Sequence, residues 1–207
     1  QYTPKHLPHS ALRECRIFYA SGISLAISQT SCEAVMKAAQ GAREAGAVFA
    51  FDPNLRTALW PLGQAVEVTH QVMTICDIAL PGLDDARQLT GLDAPEDIVR
   101  FYHDLGASSV ALTMGREGVL TSEGERVQFC PPLQVEAVDA TGAGDCFNGA
   151  FLAAILRGLP PHKAAEWANV SAALSTCGFG AVAQIPTLSQ TELHFKEQGN
   201  NHIILVN

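Results

Sequence analysis

Short apolar runs alternate with amphipathic stretches along most of the chain. Residues 16–20 (Arg-Ile-Phe-Tyr-Ala) form an apolar run ended by Ser21-Gly22, which predicts a buried strand. Thr30, with Glu33 three residues on, has the pattern of a capping box. It opens a predicted helix through Val35, Met36, Ala39 and Ala42 that Gly46 closes. A second strand is predicted at 47–51, delivering Asp52-Pro53-Asn54-Leu55-Arg56 to its C-terminal end. A helix over 63–76 and a strand at 78–80 follow. Residues 84–90 read as a short helix with Gly91 past its end. Pro95 suits the first position of the next helix, which runs to Leu105 and stops at Gly106. A fourth strand at 109–112 leads to a hairpin, 118–122 and 126–130, joined at Glu123-Gly124-Glu125. Residues 135–138 feed a glycine-rich turn. Two helices come last, 144–157, with Phe147, Phe151, Ala154 and Ile155 on one face, and 162–176. Residues 1–10 are polar and proline-containing and read as a connection within a longer protein; 200–207 read as a small edge strand or a tail.

Strand–helix alternation at this spacing predicts parallel βαβ units, an α/β fold with helices on both faces of a mainly parallel sheet. The reading treats 1–207 as a single domain, with no internal repeat or low-complexity segment. Ligands of such sheets bind at the C-terminal strand ends. Four polar clusters fall on that edge: 52–56, 82–85, 113–118 and 139–145.

Composition narrows the function classes. A formal net charge of −8 argues against nucleic-acid or anionic-membrane partners, yet leaves room for a nucleotide held at a helix end. The six cysteines are scattered without Cys-x-x-Cys pairs, and the seven histidines lack metal spacing. Reduced thiols, the lack of a signal-peptide pattern and the lack of a membrane-length apolar run give a cytoplasmic expectation.

The chemistry concentrates in Asp139-Ala140-Thr141-Gly142-Ala143-Gly144-Asp145, which runs straight into a helix. Helix-start N–H groups lack intrahelical partners and the end carries about half a positive charge, so the turn is suited to an oxyanion. Asp145 there is either a base that accepts a proton from an attacking hydroxyl or only a helix-dipole partner. Arg56 can pair bidentately with a carboxylate or phosphate, or with a neighbouring acid. Asp84 and Asp85 read equally as first-turn helix acids, 113–118 as an ordinary turn, and Asn169 as a helix residue.

The glycine-rich string resembles the signature of the ribokinase-like (PfkB) carbohydrate kinases, and the likeness extends over residues 16–186. The resemblance implies an ATP-dependent phosphorylation of a primary hydroxyl of a small sugar or sugar acid. Gly142, Ala143 and Gly144 would form the anion hole and Asp145 would be the catalytic base, next to the substrate. It places Thr113, Gly115, Gly118, Gly142, Gly144 and Asn169 at the nucleotide. Asp85, which stands for the Glu of an Asn-x-x-Glu motif whose Asn is here Gly82, would face magnesium. Asp139, with 177–181, would face a monovalent cation, potassium. Asp52 to Arg56 with Leu59-Trp60-Pro61 looks like the 2-keto-3-deoxygluconate kinases, where this Arg faces the sugar-acid carboxylate, and also like fructokinases. Ser21-Gly22-Ile23 and the stretch from Leu80 to Gly91 lean toward the former. The chain matches the C-terminal portion of the family's fold. The preceding strands and the β lid, the usual dimer contact, are absent from it; a homodimer is expected of the full-length protein. A non-catalytic nucleotide-binding fragment is the alternative of a different class.

Overall fold

The computed structural model describes residues 3–197. The C-terminal expectation for 200–207 lies outside them. By their internal contacts the residues group into two compact units: Gln1–Thr113 with Ser122–Val127, and Met114–Thr121 with Gln128–Asn207.

The first unit carries β1 (Ile17–Ser21), β2 (Val48–Asp52), β3 (Ile78–Ala79) and β4 (Ser109–Thr113). They are hydrogen-bonded in that order and all parallel, with Ser21 opposite Asp52 and Ala79 opposite Val110. Each connection is helical: α2 (Gly22–Ala26) and α3 (Gln29–Glu44), then α4 (Leu62–Met73), then α5 (Leu83–Thr90) and α6 (Pro95–Leu105). Fully buried Phe49, Phe51, Leu80, Ile98 and Val110 fill the core, as the continuous apolar runs of a two-sided parallel sheet require. Gly91, in the left-handed region at φ 72°, ends α5 where the sequence puts its stop. The hairpin strands β5 (Val119–Glu123) and β6 (Arg126–Cys130) complete a six-stranded sheet in chain order.

Three local expectations change. The N-cap of α3 is Ser28 rather than Thr30: its side chain accepts the Ser31 N–H at 3.2 Å, and Thr30 lies inside the helix. Serine at 28 needs no glutamate partner to cap, and Glu33 instead accepts from Gln29 at 3.1 Å. The polar start folds into α1 (His9–Glu14), whose Leu12 reaches a cluster with Ala34, Ala38 and Ala42 of α3. The Ser21-Gly22 end of β1 continues directly into α2.

The second unit is built on α7 (Ala143–Leu156) and α8 (Pro161–Ser175), with α9 (Leu188–Glu197) beyond the predicted elements. Phe147 and Phe151 stack one turn apart at 5.9 Å between ring centres, and Trp167 meets Phe195 of α9 at 5.4 Å. Phe147, Phe151 and Ala154 are buried as the spacing predicts, while Ile155 is only half-buried. Among the described residues no helix is long and apolar enough to cross a membrane.

Candidate active site

In the second unit the glycine-rich turn is held by one carboxylate. Asp139 Oδ1 accepts the Thr141 N–H at 2.9 Å and its hydroxyl at 2.6 Å, and Oδ2 accepts the Gly180 N–H at 2.9 Å. The N–H groups of Val138 and Asp139 both donate to the Thr176 carbonyl, at 2.7 and 3.1 Å. The segment after α8 is thereby bound to the segment before α7. Three hydrogen bonds to the charged form, the Thr141 hydroxyl first, lower the Asp139 carboxyl to about 2.

Gly142 is the N-cap of α7 at φ 79°, a conformation that costs other residues about 1–2 kcal/mol. A Cβ there would also meet the Ala181 Cβ at 2.9 Å. The N–H of Ala143 is taken by the Ala140 carbonyl at 3.1 Å, and that of Cys146 by Gly142 at 2.9 Å. The N–H groups of Gly142, Gly144 and Asp145 have no such partner among the described residues. Of the three N–H groups expected to form the anion hole, those of Gly142 and Gly144 are open. Ala143 is the exception, because the turn that precedes the helix uses its N–H. Gly144 and Asp145 are exposed, and the Asp145 carboxylate makes no hydrogen bond or ion pair among the described residues. Open N–H donors at a helix start, with an uncommitted carboxylate in the first turn, can receive a phosphoryl group and a proton.

Of the other nucleotide candidates in this unit, Gly115 and Gly118 flank a 3-10 turn, with Gly118 against the Cys130 carbonyl. Asn169 Nδ2 donates to the Pro131 carbonyl at 2.7 Å, which fixes the chain after β6 and leaves its Oδ1 available.

The first unit holds the second cluster. Asp52 Oδ1 accepts the Asn54 N–H at 2.9 Å, an Asx turn that leaves Asn54 at φ 37°. Asp85, in the first turn of α5, accepts the Leu55 N–H on Oδ2 at 2.8 Å. The same oxygen lies 3.9 Å from Arg56 Nη1. Burial raises the Asp85 carboxyl above its ordinary value, opposed by the Leu55 N–H and Arg56. Arg56 spends Nη1 on the Leu55 carbonyl at 2.7 Å, and its side chain is 53% exposed, so one edge of the guanidinium faces solvent. Arg56 thus makes a loose pair with Asp85 and keeps one donor edge open. Asp85 Oδ1 takes no hydrogen bond among the described residues, which fits a role toward the water shell of magnesium. Thr113, at the end of β4, donates its N–H to the Pro81 carbonyl at 2.9 Å and its hydroxyl to the same atom at 3.5 Å.

Gly22, which the sequence reading takes as a strand stop and a branch marker, also shapes the site. A Cβ at Gly22 would collide with the Pro53 carbonyl, so this glycine lets α2 lie against the Asp52–Arg56 loop. A glycine directly after a strand is the available signal of such an approach. Gly180, which ties to Asp139, lies in the stretch 177–181 that the sequence reading set beside Asp139.

The pfkB family carbohydrate kinase profile matches residues 1–188. A 2-dehydro-3-deoxygluconokinase of Bacillus subtilis is 31% identical over 89% of this chain and 57% of its own length. Fructokinase-1 of Zea mays is likewise 31% identical, over 89% of the chain and 60% of its own. A crystal structure of an Escherichia coli protein described as a putative ribokinase II, in complex with ATP and Mg2+, superposes with a TM-score of 0.86. It is 28% identical, across 95% of this chain and 63% of that one. The fold is ribokinase-like and the chain belongs to the pfkB family of carbohydrate kinases. It spans under two thirds of the length of these relatives.

Proposed function

We propose that the protein transfers the γ-phosphoryl group of ATP to a primary hydroxyl of a small sugar acid, with 2-keto-3-deoxygluconate as the preferred acceptor. The observation that carries the reading is the uncommitted Asp145 carboxylate in the same helix turn as the open N–H groups of Gly142 and Gly144. In this reaction Asp145 takes the proton of the acceptor hydroxyl. The new oxygen–phosphorus bond forms as the bond to the β–γ bridging oxygen breaks, and ADP leaves. The helix-start N–H groups hold the charge on the phosphoryl oxygens. Gly115, Gly118, Thr113 and Asn169 are assigned to the nucleotide.

Magnesium, when bound, neutralises phosphate charge, and Asp85 is the residue assigned to its water shell. For potassium we assign Asp139, through the loop it fixes. The free guanidinium edge of Arg56 supports a carboxylated acceptor, because Arg pairs with carboxylate bidentately. The Bacillus subtilis and Zea mays relatives are equally similar, so identity does not choose between their acceptors. The reading places the enzyme in the cytoplasm with its ATP.

A coupled assay of ADP release with 2-keto-3-deoxygluconate, fructose and ribose tests the proposal. Turnover fastest on the sugar acid is expected; preference for fructose overturns the acceptor assignment. ATP binding without turnover on any of the three overturns the catalytic reading in favour of a nucleotide-binding module.

A further inference from the structure

In the first unit, α1 and α3 line an open groove of about 510 Å³. His9 and Arg13 stand one turn apart on one wall, with Lys37, Gln40, Gly41 and Glu44 on the other. Each set follows three- and four-residue helical spacing, so each faces the groove as one stripe. Neither Arg13 nor Lys37 makes an ion pair or a side-chain hydrogen bond among the described residues. Glu44, the acid of the groove, is occupied by the Gln40 amide at 3.0 Å. Arg13 and Lys37, neither paired with a carboxylate, thus face one groove from opposite walls, with the Glu44 carboxylate also on it.

Gly41 adds an independent observation. It lies inside the 16-residue α3, where glycine costs about 0.5–1 kcal/mol relative to alanine. A Cβ there would meet nothing within 4 Å, and the residue has no positive φ, so the fold makes no demand for glycine. What its missing side chain does is keep the floor of the groove clear.

We propose that this groove binds a small phosphomonoester, its dianion held between Arg13 and Lys37. The site uses none of the residues of the candidate active site. Two cations from separate elements outweigh the one carboxylate on the groove, and the volume admits the carbon skeleton of a sugar phosphate.

The test is a titration of the 15N-labelled full chain with inorganic phosphate and with ribose 5-phosphate, read at the Arg13, Lys37 and Gly41 amides. Saturating shifts at these amides are expected, weakened at least about tenfold in Arg13→Glu, which removes a charge-assisted hydrogen bond and turns a like charge on the ligand. Gly41→Leu should abolish them, and since leucine is the better helix former this variant keeps the fold. Tighter binding of the ester identifies an ester as the occupant; equal binding identifies the phosphate group alone. Absence of saturating shifts up to about 20 mM ligand, or shifts that survive both variants unchanged, overturns the proposal. The Gly144 and Asp145 amides report the candidate active site in the same spectra, so failure of one reading is distinct from failure of the other.

Discussion

Asp139 and Gly180, 41 residues apart, are joined by a 2.9 Å hydrogen bond from the Gly180 N–H to the Asp139 carboxylate. Through it the segment after α8 buttresses the turn that opens α7. Ala181, the next residue, is the neighbour that leaves Gly142 no room for a side chain.

This bond carries a pH signature. The Asp139 carboxyl is lowered to about 2 from an ordinary 3.8, so its contribution is complete above the unfolded value and is lost as pH falls through the folded one. The Gly180 amide proton shift should hold steady from neutral pH to about 4 and titrate near 2. In Asp139→Asn the Gly180 amide should exchange faster with solvent at neutral pH. A titration of that shift near the ordinary aspartate value would contradict the arrangement.

Gly142→Ala should lower unfolding stability by about 1–2 kcal/mol, the cost of a left-handed residue bearing a Cβ, with a further loss from displacing Ala181. Urea denaturation measures both effects. Weaker ATP binding by the folded variant is expected besides, since the open N–H of Gly144 moves with the turn.

Gly22→Ala should cost about 1–3 kcal/mol, the range for forcing atoms into a filled space, because its Cβ collides with the Pro53 carbonyl. The effect is read as a fall in thermal midpoint. If the loop yields instead, the Asn54 and Leu55 amide signals should shift, since Asp52 and Asp85 hold those N–H groups.

Much of this was legible in the sequence for a physical reason. Apolar runs such as 47–51 are buried on both faces, and Pro95, Gly91 and Gly106 act through their own backbone chemistry, so each marks its boundary locally. The turn 139–145 was legible as well, because helix-start geometry follows from glycine and aspartate at fixed offsets. What was not legible depends mostly on residues far apart in the chain. The Gly22–Pro53 approach and the particular Asp139–Gly180 hydrogen bond arise from tertiary placement, although the resemblance already set 177–181 beside Asp139; the local turn that uses the Ala143 N–H is not fixed by residue spacing. The polar start hid α1 because only Leu12 is buried there, and one apolar residue sets no period.

Arg56→Ala should raise the KM for 2-keto-3-deoxygluconate by about tenfold to a hundredfold while leaving that for fructose nearly unchanged, the loss of a charge-assisted pair felt by the carboxylated acceptor alone. Steady-state kinetics on both sugars measure it. Equal losses would return Arg56 to a structural pair with Asp85, 3.9 Å away.

The central claim is that Asp145 serves as the base beside the helix-start N–H groups. Sugar-dependent ADP release by Asp145→Asn, with ATP binding measured on the same protein, tests it most directly. Turnover should fall at least about a hundredfold with ATP affinity retained; near-normal turnover in that variant would contradict the account.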